Sequence, residues 1–334
     1  MSAPPSPNET KVVLCVQFNF TFWTIPPELP AALQNRWPEM RVMHVKSYDA
    51  LPAELPDTDI FVGFNLLPKQ LAVARKLKWI HITSAGVSQM MRPDVQTTGV
   101  VITNARGIHA IPMAEHTMGA MLALARKFPD TVHYQDAKVW AQEQIWRSRP
   151  SELHGATLLI VGLGTIGGEI ARRARAFGMR IEAVTRSGHG DASLADKIYP
   201  ASQLLQAFPQ ADYIVLAAPD TPETQRMIGA RELKSMKPTA YLLNIGRGSL
   251  VDEAALIDAL QQSTIAGAAL DVMEKEPLPQ ESPLWQMKNV FISPHISAVS
   301  QLLWPRQTEL LIENLERWFS GRELKNIVDT TRGY

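Results

Sequence analysis

The sequence lacks the features that mark several large classes of protein. It has one cysteine, Cys15, so an intrachain disulfide framework is excluded and a reducing, cytoplasmic setting is expected. Lysine plus arginine equal aspartate plus glutamate at 33 each, so nothing indicates a nucleic-acid or membrane-surface partner. No apolar run reaches the roughly 18 residues of a membrane span, and no metal-binding motif is present. The predicted partner is therefore a small molecule.

The first ten residues also lack the pattern of a targeting signal. The first ten residues, MSAPPSPNET, lack a basic region followed by an apolar core, and their prolines predict a disordered lead-in. In the whole chain 46% of the residues are apolar and 20% are charged, as in a globular protein with substantial cores. A length of 334 residues exceeds one ordinary core, so two domains are expected.

Short apolar runs alternate twice with helical stretches. The first alternation occupies residues 11–103, and the second, with six strand-like runs, begins at Ala156. Each alternation predicts an α/β domain with a mostly parallel sheet, and the second matches a doubly wound dinucleotide fold. The final helical segment, residues 298–321, is expected to cross back onto the first domain. The predicted domains are residues 1–111 with 297–334, and the inserted residues 112–296.

Between the two alternations, residues 113–140 predict one or more long helices. Met118, Met121, Leu122 and Ala125 recur at helical spacing and form an apolar face. That face is compatible with a core, a domain seam or a dimer contact.

A glycine-rich turn opens the second alternation. Gly162, Gly164 and Gly167, in VGLGTIGGEIARRARAFG, have GxGxxG spacing between a strand-like run and a helix. Such glycines permit a tight turn and close backbone approach, and the helix presents its first N–H groups to a pyrophosphate. The spacing alone is weak because glycine turns are common, but the strand and helix around it make it specific. It predicts a dinucleotide site.

The next strand-like run, in IEAVTRSGHG, ends without the acid that usually holds the ribose of NAD. Arg186 stands there, between Thr185 and Ser187. A guanidinium suits a 2′-phosphate, and the two hydroxyls add hydrogen-bond donors. A solvated loop arginine is the alternative interpretation. The specific position favours NADP(H) as the cofactor, with NAD(H) possible.

Separated motifs then occur in order along the chain, namely ELHGATLLIVGLGTIG, TPETQRMIGARELKSMKPTAYLLNIGRGSLVDEAAL, GAALDVMEKEPLP and SPHIS. Together they resemble the D-isomer-specific 2-hydroxyacid dehydrogenase family. The resemblance runs from about Lys78 to His295, and the two ends of the chain match only in general pattern. It implies a doubly wound Rossmann dinucleotide-binding domain inserted in a smaller flavodoxin-like α/β substrate domain, with a cleft between them.

The resemblance implies three catalytic residues for the reduction of a 2-oxo acid. Arg247, in NIGRGSLVD, would bind the carboxylate and the carbonyl oxygen with its planar guanidinium. His295, in SPHIS, would give a proton to the carbonyl oxygen. Glu276, in EKEP, would orient the imidazole and favour its charged form. Taken singly, each of these is more often a surface or packing residue.

The resemblance also implies cofactor-binding residues. Thr165 and Ile166 belong to the glycine turn and the helix start, Pro219 would border the adenine, and Asp271 would accept a hydrogen bond from the nicotinamide carboxamide. An aspartate at a strand end is otherwise an ordinary loop or cap residue. Ser297 stands where glycine is common, a departure beside the catalytic histidine that would change the shape of the pocket.

A loop of the first domain, in ITSAGVSQM, resembles the family's carboxylate-binding loop. Backbone N–H groups around Ala85 and Gly86, next to Ser84, would hold the substrate carboxylate together with Arg247. Ser88 stands where relatives often have aspartate, and serine can also begin a helix.

Two of the eight histidines, His109 and His116, lie near the expected crossing between domains and are candidates to line the cleft. His116 is better explained as a structural residue, because it lies beside Glu115 at a predicted helix start. The other histidines outside SPHIS carry no motif and are treated as structural or exposed.

These inferences predict an oxidoreductase that reduces a 2-oxo acid to the D-2-hydroxy acid with NADPH. Glyoxylate and hydroxypyruvate are the first candidate substrates. Glu276 stands where formate-oxidising relatives have glutamine, which disfavours formate oxidation. A nucleotide-sensing, corepressor-like interaction protein on the same fold is the alternative. A roomier pocket for a bulkier 2-keto acid is a further alternative. Four aromatic residues, which are expected to lie partly in the core, are the candidates to line it: Phe18, Phe20, Trp23 and Trp304.

The resemblance implies a homodimer that forms through the cofactor-binding domain, and the apolar face of residues 113–125 fits that contact. In some relatives a tryptophan of the neighbouring subunit reaches the active site. Trp140 and Trp146 are candidates for this role, with helix packing as the alternative.

Overall fold

A computed structural model describes residues 4–16 and 21–330 of the chain. Phe18 and Phe20, two of the candidates for pocket lining, lie outside the described residues. The chain divides into two compact units, Met1–Ile108 with Ser300–Tyr334 (unit 1) and His109–Val299 (unit 2). The boundaries expected from the sequence lie within a few residues of these.

The strands, in chain order, are β1 Lys11–Cys15, β2 Arg41–His44, β3 Ile60–Gly63, β4 Trp79–Ile82, β5 Val101–Asn104, β6 Thr157–Val161, β7 Arg180–Thr185, β8 Lys197–Pro200, β9 Tyr213–Leu216, β10 Tyr241–Asn244, β11 Gly267–Leu270 and β12 Val290–Ile292. The α-helices are α1 Glu28–Arg36, α2 Leu51–Glu54, α3 Pro68–Leu71, α4 Pro93–Gln96, α5 Ala110–Ala125, α6 Phe128–Asp136, α7 Gln142–Arg147, α8 Thr165–Ala176, α9 Leu204–Ala207, α10 Ala230–Ser235, α11 Glu253–Gln261 and α12 Leu303–Phe319.

The described residues of unit 1 form a five-stranded parallel sheet in the order β2-β1-β3-β4-β5. β1, β3 and β4 are buried along their whole length, as parallel strands covered on both faces are. On one face, Leu311 and Leu315 of α12 pack with Trp79 of β4. Trp23 and Trp304 are partly buried against the smaller core around Ile108, so both contribute to packing.

Unit 2 contains a seven-stranded parallel sheet in the order β12-β11-β10-β9-β6-β7-β8. The chain leaves β6 towards β7 on one side and later returns to β9 on the other, so the strand order reverses at β6. Ligands of open α/β sheets bind at such a reversal, outside the carboxyl ends of the strands. The glycine turn therefore follows the strand where a cofactor is expected.

Two expectations about the elements are wrong. The second alternation has an additional edge strand, β8, whose sequence KIYP is short and only half-buried, so its apolar signal is weak. In the first alternation, one of the stretches interpreted as helical, LPKQLAVARKL, forms a helix only over Pro68–Leu71. The six runs that were predicted as strands all form strands of the sheet.

The apolar face of α5 lies within the core of unit 2. Met118, Met121 and Ala125 are buried, and α5 packs against α8. Of the three alternatives for this face, the structure therefore supports the core. The apolar face is not available as the expected dimer contact, because its side chains are used inside their own unit.

His81, which carries no motif, lies in the core of unit 1. Its side chain is fully buried, and Nδ1 lies 2.8 Å from Oγ1 of Thr103, which also accepts the indole N–H of Trp79 at 2.8 Å. Nε2 has no hydrogen-bond partner among the described residues. Burial lowers the pKa of His81 to about 4. The folded protein therefore holds this imidazole neutral at physiological pH.

We expect the free energy of unfolding to fall as the pH falls from about 6.5 to about 4. In this window the unfolded chain takes up a proton at residue 81 and the folded chain does not. The loss reaches about 3 kcal/mol at the acid end. In His81→Asn this part of the pH dependence should disappear from urea unfolding curves. The exposed His133→Asn is the control, and equal slopes for wild type and His81→Asn would contradict the explanation.

Candidate active site

The three glycines of the turn after β6 have different roles. Gly162 has a φ of 103°, and a Cβ there would lie 2.7 Å from the carbonyl oxygen of Ala217. A Cβ on Gly167 would collide with the carbonyl oxygen of Gly162. At Gly164 a Cβ would meet no described atom within 4 Å. Gly162 and Gly167 therefore let the turn close, whereas Gly164 exposes bare backbone to open space.

The helix α8 begins directly after Gly164. N–H groups in the first turn of an α-helix, here those of Thr165, Ile166 and Gly167, have no acceptor within the helix. The N–H of Gly168 is bonded to the carbonyl oxygen of Gly164 at 2.8 Å. The first-turn N–H groups, the positive end of the helix dipole and the open space at Gly164 fit the pyrophosphate of a dinucleotide. The predicted cofactor residues of the turn therefore lie at the start of α8, and their contact with a pyrophosphate stays a prediction.

The loop after β7 holds the side chain of Arg186 exposed. The hydroxyl of Thr185 donates to the carbonyl oxygen of His189 at 3.0 Å, and Oγ of Ser187 accepts the N–H of His189 at 3.4 Å. The proton of Thr185 is therefore used inside the loop, whereas the bond to Ser187 does not use its hydroxyl proton. Of the two hydroxyl donors expected here, Ser187 retains its proton for a ligand.

The loop after β9 lies on the other side of the glycine turn, since β6 separates β7 from β9. In it, the hydroxyl of Thr224 donates to the carbonyl oxygen of Pro219 at 2.7 Å. A hydrogen bond with Thr221, backbone hydrogen bonding and the positive charge of Arg186 lower the pKa of Glu223. Arg186 is therefore near enough to this loop for the two charges to interact. The loops with Pro219 and Arg186 therefore lie on the two sides of the glycine turn, and their contacts with a cofactor stay predictions.

The three predicted catalytic residues follow three adjacent strands. The strands β10, β11 and β12 are parallel neighbours, so their carboxyl ends lie at the same edge of the sheet. Arg247 comes after β10, Glu276 after β11 and His295 after β12. The fold of unit 2 therefore brings all three to the edge that also carries the glycine turn.

His295 and Glu276 are in direct contact. Nδ1 of His295 lies 2.7 Å from Oε2 of Glu276, and Oε1 accepts the backbone N–H of Met273 at 3.1 Å. The second bond fixes the orientation of the carboxylate. With Nδ1 engaged, Nε2 is the nitrogen left to exchange a proton with a substrate. Both side chains are partly exposed, at 47% and 38%, so a small molecule has access to them.

Arg247 projects from a turn that is fixed by hydrogen bonds to the buried side chain of Asn244. The side-chain amide of Asn244 donates to the carbonyl oxygen of Arg247 at 2.9 Å and accepts the N–H of Gly246 at 3.1 Å. Gly248 lies so close to Met273 that a Cβ would collide with its carbonyl group. The loop of Arg247 thus rests on the loop that leads to Glu276. Its exposed guanidinium suits a carboxylate.

Asp271 is a buried carboxylate at the end of β11, with 3% of its surface exposed. Oδ1 accepts the hydroxyl of Ser293 at 2.6 Å and the N–H of Ile296 at 2.9 Å, and Oδ2 accepts the N–H of Ser297 at 3.0 Å. Burial raises the pKa of Asp271, but side-chain bonds from Ser293 and Ser297 and the backbone N–H groups outweigh it and leave the pKa below its usual range. The contact of Asp271 with a nicotinamide carboxamide stays a prediction.

The predicted substrate loop lies in unit 1, after β4, and hydrogen bonds close it. The hydroxyl of Ser84 donates to the carbonyl oxygen of Gly86 at 2.6 Å, and the buried amide of Asn104 donates to the carbonyl oxygen of Ala85 at 2.7 Å. These bonds fix the peptide planes whose N–H groups are expected to bind a carboxylate. A short 3-10 turn begins at Ser88. The substrate contact itself stays a prediction.

Sequence reasoning missed Ser293 and misplaced His116. His116 lies in the middle of α5 and not at a helix start, and its Nε2 lies 3.0 Å from Oγ of Ser293. The two residues are 177 positions apart, so no local pattern could pair them. A hydroxyl residue at a strand end, two positions before a candidate catalytic histidine, was the available signal. His109 precedes α5 and is buried.

Comparison with known proteins accounts for this arrangement. Residues 118–297 match the description "D-isomer specific 2-hydroxyacid dehydrogenase, NAD binding domain". A glyoxylate reductase of Korarchaeum cryptofilum is 33% identical over 294 residues, which cover 86% of this chain and 85% of the relative. The chain belongs to the D-isomer specific 2-hydroxyacid dehydrogenase family.

Solved structures of D-isomer specific 2-hydroxyacid dehydrogenases share the fold. A family member from Aeromonas salmonicida subsp. salmonicida A449 is 30% identical, with a TM-score of 0.82 over 96% of this chain and 99% of its own. The NADPH-dependent glyoxylate/hydroxypyruvate reductase of Sinorhizobium meliloti, solved with NADP and sulfate, is 26% identical. Its TM-score is 0.81, over 97% of this chain and 100% of its own. The predicted fold class is confirmed.

As a D-isomer specific 2-hydroxyacid dehydrogenase, the protein is an oxidoreductase that acts on CH–OH groups of small molecules with a nicotinamide cofactor. Within residues 4–16 and 21–330, no helix is both long and apolar enough to pass through a membrane. The same residues contain no group of three or more histidine, cysteine or acidic side chains arranged to hold a metal ion.

We expect Gly164→Ala to fold normally but to bind NADPH and NADH at least about tenfold more weakly. This corresponds to a loss of roughly 1.4 kcal/mol in binding free energy. The added methyl group enters the open space where the pyrophosphate is expected, and no described atom hinders it there. Fluorescence titration measures the affinity, and thermal unfolding measures stability. Gly162→Ala is the contrast: it should lower Tm because of its φ of 103° and its contact with Ala217. Unchanged affinity in Gly164→Ala would place the pyrophosphate elsewhere.

Proposed function

We propose that the protein reduces a 2-oxo acid to the D-2-hydroxy acid with NADPH, and that His295 is the proton donor. The observation that carries this proposal is the 2.7 Å contact between Nδ1 of His295 and the carboxylate of Glu276. Arg247 comes from the neighbouring strand end at the same edge of the sheet. A proton donor held by a carboxylate and a guanidinium at the same edge of the sheet supply the groups that reduction of a 2-oxo acid requires of the protein.

In this mechanism each side chain has one task. Arg247 binds the substrate carboxylate and polarises the carbonyl oxygen with its N–H donors. The nicotinamide, when bound, supplies the hydride that reaches the carbonyl carbon. Nε2 of His295 gives its proton to the carbonyl oxygen, and in the reverse direction it takes the proton back. The carboxylate of Glu276 holds Nδ1–H and stabilises the imidazolium before transfer.

Arg186 supports NADPH as the preferred cofactor. It follows β7, where a carboxylate would select NAD by accepting the 2′-hydroxyl of the ribose. Its guanidinium can pair with a 2′-phosphate, and Ser187 keeps a hydroxyl proton for the same oxygens. The Sinorhizobium meliloti relative is NADPH-dependent by name, which agrees with this preference.

Glyoxylate and hydroxypyruvate are the proposed substrates. Glyoxylate reductases occur among the relatives at 33% identity, and the Sinorhizobium meliloti relative is named for both compounds. Trp23 and Trp304, two candidates for a roomier pocket, are partly buried by packing in unit 1. Small 2-oxo acids are therefore preferred over branched or aromatic ones in this proposal.

Steady-state rates with NADPH and with NADH test the cofactor preference. With glyoxylate or hydroxypyruvate as substrate, kcat/KM for NADPH should exceed kcat/KM for NADH by about tenfold or more. One charge-assisted contact between Arg186 and the 2′-phosphate is enough for a difference of this size. Arg186→Asp should abolish or reverse this ratio, because a carboxylate repels the 2′-phosphate. Arg231→Asp makes the same charge change at an exposed position of α10 and should leave the ratio unchanged. A ratio that Arg186→Asp does not alter would make Arg186 a surface residue.

The reaction itself is tested in the same assay. His295→Ala should lose about 10²-fold to 10⁴-fold in kcat, the usual contribution of a positioned acid, while it still binds NADPH. If wild-type protein oxidises NADPH with none of glyoxylate, hydroxypyruvate and branched 2-oxo acids, the proposed reaction is wrong.

We also propose a homodimer in which a second copy covers the segment of unit 2 after α5. Neither α6 nor α7, both fully described, contains a buried residue. Trp140 is 91% exposed and Trp146 is 75% exposed, so helix packing does not explain them. Exposed apolar side chains gathered in one segment mark an interaction site. This segment, residues 128–146, replaces the 113–125 face as the proposed contact, and its large exposed apolar residues are Phe128, Val132, Val139, Trp140 and Trp146.

Light scattering tests the dimer. Wild-type protein should have the mass of two chains, and a double variant Trp140→Glu with Trp146→Glu should have the mass of one, because two buried charges would oppose the contact. Trp285→Glu, at another exposed tryptophan of unit 2, should remain a dimer. A monomeric wild type would contradict the proposal.

A further inference from the structure

A chain of hydrogen bonds within unit 2 joins α5 to the ends of β11 and β12. Nε2 of His116 lies 3.0 Å from Oγ of Ser293, and that hydroxyl donates to Oδ1 of Asp271 at 2.6 Å. Because the proton of Ser293 is used on the carboxylate, its oxygen accepts from His116, so Nε2 of His116 carries a proton. The bonds therefore run in one direction, from imidazole through hydroxyl to carboxylate, and each strengthens the next.

Asp271, which receives these bonds, holds three successive residues of the loop after β12. Its backbone carbonyl accepts the N–H of His295 at 2.8 Å, Oδ1 accepts the N–H of Ile296 at 2.9 Å, and Oδ2 accepts the N–H of Ser297 at 3.0 Å. A change in the position of this one residue would move all three N–H groups together. The carboxylate is thus the anchor of the loop.

The loop needs an anchor because of the conformation of His295. Its φ is 53°, in the left-handed region that residues with a Cβ rarely adopt. Such a conformation persists only where surrounding bonds determine it. If the bonds to Asp271 loosened, the backbone would relax and carry the imidazole away from its 2.7 Å contact with Glu276.

We propose that Ser293 and His116 are positioning residues for His295, and that they act through the carboxylate of Asp271. The proposal rests on the proposed role of His295 as proton donor. Ser293 orients the carboxylate, the carboxylate holds the backbone of residues 295–297, and that backbone aims the imidazole at Glu276. His116 keeps the hydroxyl of Ser293 turned towards Asp271 by occupying its acceptor side. Neither residue touches the substrate in this role.

The test compares Ser293→Ala, Ser293→Thr and His116→Leu with a matched control. Ser293→Ala removes the donor to Asp271, Ser293→Thr keeps it, and His116→Leu removes the donor to Ser293. Ser282→Ala is the control, because the buried hydroxyl of Ser282 has no hydrogen-bond partner among the described residues. It deletes the same group without breaking a bond.

The first measurement needs no turnover. Long-range ¹H–¹⁵N spectra of the labelled protein report which imidazole nitrogen carries the proton, and the signals of His295 are identified by their loss in His295→Gln. In wild type, in Ser293→Thr and in Ser282→Ala, Nδ1 should be the protonated, hydrogen-bonded nitrogen. In Ser293→Ala and His116→Leu, the ring should average between its tautomers because the contact with Glu276 is no longer held.

The second measurement is steady-state reduction of glyoxylate or hydroxypyruvate with NADPH. Ser293→Ala and His116→Leu should lose about tenfold to hundredfold in kcat, as a misplaced catalytic group does. KM for the 2-oxo acid should change little, because Arg247 still binds the carboxylate. Ser293→Thr should restore most of the loss. Thermal unfolding and NADPH titration check that the variants are folded and bind cofactor.

The outcomes are distinct. If Ser293→Ala and His116→Leu match Ser282→Ala in both the spectra and kcat, the positioning role is wrong. It is also wrong if the variants lose only stability and the folded protein keeps full kcat. Should Ser293→Ala fail to fold, His116→Leu, at a half-exposed position of α5, decides the question. If wild type reduces no 2-oxo acid, the proposed function fails, and the spectra alone then decide the positioning.

Discussion

The buried carboxylate of Asp271 carries a charge that has been taken out of water, and the protein has to replace its hydration with hydrogen bonds. The replacements come from the side chains of Ser293 and Ser297 and from the N–H groups of Ile296 and Ser297. These donors all belong to the loop after β12, so satisfying the charge also determines the course of that loop. The position of His295 is therefore a consequence of solvating one carboxylate inside the fold.

The features that could be predicted from the sequence are those encoded by neighbours along the chain. One turn requires both the positive φ of Gly162 and the close approach of Gly167 to the backbone. The spacing of these glycines in the sequence was therefore enough to identify the turn. The six strand runs were visible because parallel strands covered on both faces are continuously apolar. Arg247, Glu276 and His295 came from a family resemblance. The parallel order of β10, β11 and β12 supplies the physical reason why residues so far apart share one edge.

The features that could not be predicted depend on which elements pack together. The apolar face of α5 has the same pattern whether it meets α8 or another chain, and only the tertiary structure distinguishes these. The pairing of His116 with Ser293 joins a helix to a strand end 177 residues later. The strand β8 is held by its pairing with β7 and not by its own weak apolar signal. In each case the contact that decides the structure joins separate elements, and the periodicity of one stretch of sequence does not reveal such a contact.

The cofactor preference proposed for Arg186 depends on two charged partners, the 2′-phosphate and Glu223. Glu223, on the loop after β9, lies near enough to Arg186 for the positive charge to lower its pKa. When NADH binds, the guanidinium meets no phosphate and its attraction to Glu223 is retained. When NADPH binds, the 2′-phosphate attracts the same guanidinium but is itself repelled by Glu223. The proposed preference for NADPH is therefore smaller than an isolated arginine would give, because the negative charge of Glu223 opposes the 2′-phosphate.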